Sequence, residues 1–83
     1  MRNDRLQICL RDGRAALELV QQLSGLSDSF MIENRSGAKS VNAKSVLGVL
    51  CTLMSWTDGL YLVNSTHSGE MPDCVEPFRA AGE

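Results

Sequence analysis

The sequence predicts an α+β open-faced sandwich, a four-stranded antiparallel sheet with two or three helices on one face. Three observations carry this. The 83 residues leave room for one small domain, 1–83, with one core. The chain is 43% hydrophobic and only 22% charged, too apolar for a disordered segment. Period-two and period-3.6 apolar patterns alternate along it in the order β-α-β-β-α-β, with a weak closing helix after them.

Leu6, Ile8 and Leu10 alternate with Arg5, Gln7 and Cys9, the pattern of a strand with one buried face. After Asp12-Gly13, the residues Ala16, Leu19, Val20 and Leu23 fall at i, i+3, i+4 and i+7, one stripe of a helix that Gly25 should stop. Phe30 and Ile32 alternate with Met31 and Glu33 in a second strand. Arg35-Ser36-Gly37 turns the chain into a third around Ser40-Val41. Ser45 opens a second helix over Val46–Met54, Asp58-Gly59 makes a turn, and Leu60–Val63 is the fourth strand. Past Glu70 a last helix is poorly encoded, since Pro72 suits a first turn but Pro77 falls inside the segment and interrupts it.

Several function classes are disfavoured. No apolar run approaches the ~20 residues of a membrane span and no signal-peptide core comes after Met1, so the expectation is a cytoplasmic protein with no membrane contact. Net charge is −2, with seven basic and five acidic side chains through Lys44 and one basic and five acidic after it. That balance does not favour direct nucleic-acid binding, although Arg2, Arg5, Arg11 and Arg14 form a local basic cluster able to steer an acidic partner. Cys9, Cys51 and Cys74 are spaced as reduced thiols, neither a disulfide framework nor a metal site. Gly37-Ala38-Lys39-Ser40 lacks the earlier glycine of a phosphate loop. His67, the only histidine, sits in the polar run Asn64–Gly69 and reads as a solvated loop residue. No cofactor or metal is called for.

Two helix starts hold the candidate residues. Asp12 stands where a strand turns into a helix, with Gly13 and Arg14 beside it; a helix N-terminus is an anion site, but the simpler reading of Asp12 is an N-cap. The second helix has more apolar residues than one buried stripe needs, so some of Val46, Leu47 and Leu50 should face solvent as a docking patch beside Lys44 and Ser45. Fuller burial against the sheet is the rival reading. A phosphate on Ser45 would be favoured by the helix dipole and would oppose an apolar partner, which makes a switch.

The run Lys39–Leu50 (KSVNAKSVLGVL) resembles the regulatory segment of HPr, the small histidine-containing phosphocarrier of the bacterial sugar phosphotransferase system. Chain length, element order and the Gly37 turn are similar too. The resemblance implies a β-α-β-β-α-β-α open sandwich, closing helix included. The family's active-site motif is His-Ala-Arg-Pro-Ala; here the corresponding residues are Asp12-Gly13-Arg14-Ala15-Ala16, so Arg14 and Ala16 match while Asp12 replaces the histidine and Ala15 the proline. A carboxylate cannot form the phosphoramidate, and its charge repels an incoming phosphoryl group.

The resemblance further implies that Ser45 matches the serine phosphorylated by HPr kinase, and that Val46, Leu47 and Leu50 match the family's apolar docking patch. Past Leu50 the segment is about two residues longer than in the family. The expectation is a regulatory or interaction protein related to the phosphoenolpyruvate-dependent system, not an enzyme. Its partners would be HPr kinase, phosphotransferase-system proteins or a transcriptional regulator, with Arg14 and Gly13 as a residual anion or partner contact. Two alternatives stand beside it: a working phosphocarrier that uses Asp12 as an acyl-phosphate acceptor, and a degenerate HPr-like domain with an unrelated partner.

Overall fold

A computed structural model describes residues 5–57, 59–66 and 71–80. The chain runs β1 (Arg5–Ile8), α1 (Gly13–Ser24), β2 (Phe30–Glu33), β3 (Ser40–Asn42), α2 (Val46–Ser55), β4 (Leu60–Asn64) and a closing 3₁₀ helix, Asp73–Phe78. The four strands make one antiparallel sheet in the order β1-β4-β2-β3, so β4 is inserted between β1 and β2. The fold is α+β and open-faced.

Alternation fixes which face is covered. Leu6, Ile8, Phe30, Ile32, Leu60 and Leu62 point inward and are buried. Ala16, Leu19, Val20 and Leu23, the stripe of α1, meet them in the core together with Val49 and Val75. The uncovered face of the sheet carries Arg5, Gln7, Glu33 and Tyr61 around the apolar Met31 and Val63. There the Arg5 guanidinium lies 4.3 Å from the centre of the Tyr61 ring and 3.3 Å from Glu33 Oε1, and it donates to the Asn34 carbonyl at 3.0 Å. Arg5 therefore ties β1 across β4 to the β2–β3 hairpin and is not free to join a steering cluster with Arg11 and Arg14. Arg2 lies outside the described residues, as do Asp58, His67 and Glu70.

The element boundaries reflect local chemistry. β1 stops at Ile8, yet Leu10 is still buried, because the chain continues over the core into the Asp12 cap. Gly37 turns the hairpin with φ of 78°, a left-handed backbone that side chains resist. Gly25 caps α1, but with an ordinary right-handed φ of −79° instead of the left-handed one typical of a glycine stop.

The closing segment departs from the α-helix that the resemblance implies. Asp73–Phe78 winds as a 3₁₀ helix with Pro77 inside it. Proline lacks the N–H that a longer α-helix would need at that point, and the tighter, shorter winding loses less by it. Val75 is still fully buried against the core. Beyond the helix the chain pairs with the outer edge of β1: Cys9 N–H donates to the Phe78 carbonyl at 2.8 Å and Ala80 N–H to the Gln7 carbonyl at 3.0 Å. The tail thereby satisfies backbone groups of an edge strand that would otherwise be open to pairing with another chain.

Candidate functional site

Asp12 precedes α1 in extended backbone, and its Oδ1 accepts the Ala15 N–H at 2.9 Å while its carbonyl accepts from Ala16. The cap reading is what forms. A full negative charge now occupies the place where the free N–H groups and the helix dipole would attract an outside anion. Gly13 opens the helix and Arg14 comes next; both are exposed. Among the described residues neither Arg11 nor Arg14 has a hydrogen-bond or ion-pair partner. Their guanidinium groups remain available to solvent or to a ligand.

The second helix start is built on the same principle with a neutral group. Ser45 Oγ accepts the Gly48 N–H at 3.3 Å, and the Ser45 carbonyl accepts from Val49. No acidic residue lies in the first turn of α2, and the whole helix, Val46–Ser55, carries no charged side chain. The positive end of its dipole is therefore left uncompensated, unlike that of α1. Ser45 itself is half-buried.

The apolar surplus of α2 resolves into two faces. Val49 and Thr52 are buried, and the Thr52 hydroxyl donates to the Val49 carbonyl at 2.6 Å, which satisfies it without a partner from outside the helix. On the opposite side Leu47 is 77% exposed, while Val46 and Leu50 are half-buried and pack against the core, so for these two the burial reading is the one that forms. Sequence reasoning missed Met54, which is 87% exposed, and Leu17 on α1, which is 43% exposed. The signal for Met54 was present, since residues 47, 50 and 54 fall at i, i+3 and i+7 and share one face of a helix.

Gly13 joins the two halves of the site. A Cβ there would stand 3.5 Å from Leu50 Cδ2, so the start of α1 abuts the apolar side of α2. Asp12 and Arg14 are the chain neighbours of that contact, and Leu17 lies one helical turn beyond it. Lys44 is directed elsewhere. Its ammonium donates to the Leu26 carbonyl at 2.6 Å, just past the end of α1. There a cation meets the negative end of the helix dipole.

All three cysteines carry free thiols, Cys9 and Cys51 exposed and Cys74 half-buried. Among the described residues no group of three or more His, Cys, Asp and Glu could hold a metal ion, and no helix is long and apolar enough to cross a membrane. What the site offers chemically is a carboxylate-capped corner with two arginines unpaired among the described residues, a hydroxyl at a helix N-terminus that no acidic side chain compensates, and an uncharged helix with an exposed apolar patch. Comparison with family models, curated proteins and solved structures returned no match.

Proposed function

We propose that the chain is an HPr-like regulatory or interaction protein related to the phosphoenolpyruvate-dependent sugar phosphotransferase system. It acts by recognition and is not an enzyme, and Ser45 is its regulatory phosphoacceptor. The observation that carries the reading is Leu47: an apolar side chain 77% exposed, two residues after a serine that caps an uncharged helix. Exposing a leucine forgoes about 1.5–3 kcal/mol of burial, which a protein partner can recover on docking.

A phosphate on Ser45 would place close to two negative charges on the open end of the α2 dipole, a favourable position for the helix. The same charges beside Val46 and Leu47 would oppose an apolar partner and attract a basic one. Arg14, exposed at the head of α1, is the residual anion or partner contact. Phosphocarriage is disfavoured at Asp12, because forming an acyl phosphate there would add negative charge to a group already holding the helix cap.

The purified chain incubated with HPr kinase and ATP tests this reading. We expect one phosphate, located at Ser45 by fragmentation mass spectrometry and absent from Ser45→Ala. An unmodified Ser45 would instead assign the domain an unrelated partner.

A further inference from the structure

We draw no further inference here: the strongest candidate, the exposed apolar patch of α2 formed by Leu47 and Met54, belongs to the site already described, and nothing in the structure shows what covers it.

Discussion

A Cβ placed on Gly13 would meet Leu50 Cδ2 at 3.5 Å, an ordinary van der Waals separation, so α1 begins in contact with the apolar side of α2. A partner seated on Leu47 and Leu50 would therefore also lie close to the Asp12–Arg14 corner. Two separate sequence signals, a helix cap and a surplus of apolar residues, therefore lie side by side in the fold.

Leu47 separates stability from recognition. Because it is mostly exposed, Leu47→Ser should change folding stability by no more than about 0.5 kcal/mol. If Leu47 anchors a protein partner, the same change should weaken binding by more than about tenfold. Urea denaturation and titration of HPr kinase against the variant measure the two effects on one preparation.

Asp12 is predicted to act through its cap, a role that asparagine can also fill. Asp12→Asn keeps the acceptor for Ala15 N–H and should leave stability nearly unchanged, whereas Asp12→Ala should cost about 0.5–2 kcal/mol. Chemical denaturation of the two variants checks the difference. Equal losses in both would mean that the charge, not the cap hydrogen bond, stabilises the corner.

Lys44 is a tether between the loop before α2 and the end of α1. Lys44→Met retains most of the aliphatic stem and removes the ammonium that reaches the Leu26 carbonyl, for an expected loss of about 1–3 kcal/mol. Hydrogen exchange should locate part of that loss at the last turn of α1. A variant as stable as the parent would show that the 2.6 Å contact adds nothing in solution.

The closing segment carries one pH dependence. Hydrogen bonds from Arg79 hold the Glu76 carboxyl below its usual range, with the exposed pair meeting at 2.9 Å and 3.1 Å. A carboxyl with a depressed folded pKa stabilises the fold above its unfolded pKa, and that stabilisation is lost as pH falls through the folded value. A carbon-13 titration of the Glu76 carboxyl should give a midpoint below that of the denatured chain. Arg79→Met should restore it.

The sandwich was legible because its periodicities are local. Leu6 and Ile8, Ala16 to Leu23, and Phe30 and Ile32 each declare one buried face within a few residues, and each of those faces is buried in the core. The caps Asp12 and Ser45 were legible for the same reason. What sequence did not disclose depends on contacts between distant residues. The Arg5 bridge to Tyr61 and Glu33 spans 56 and 28 positions, and the Lys44 tether spans 18. The pairing of Phe78 and Ala80 with the β1 edge likewise requires knowing that β1 is an outer strand. Pro77 by itself marks the segment as incompatible with a regular α-helix, but the 3₁₀ alternative depends on Val75 reaching the core.

We propose that the fixed carboxylate at the head of α1 suits this corner to recognition and not to phosphoryl transfer. Incubation with enzyme I, phosphoenolpyruvate and a sugar-specific acceptor protein measures it directly. We expect no label on the chain and no transfer to the acceptor. A hydroxylamine-labile phosphate on Asp12, passed on at the rate of an ordinary HPr, would contradict it.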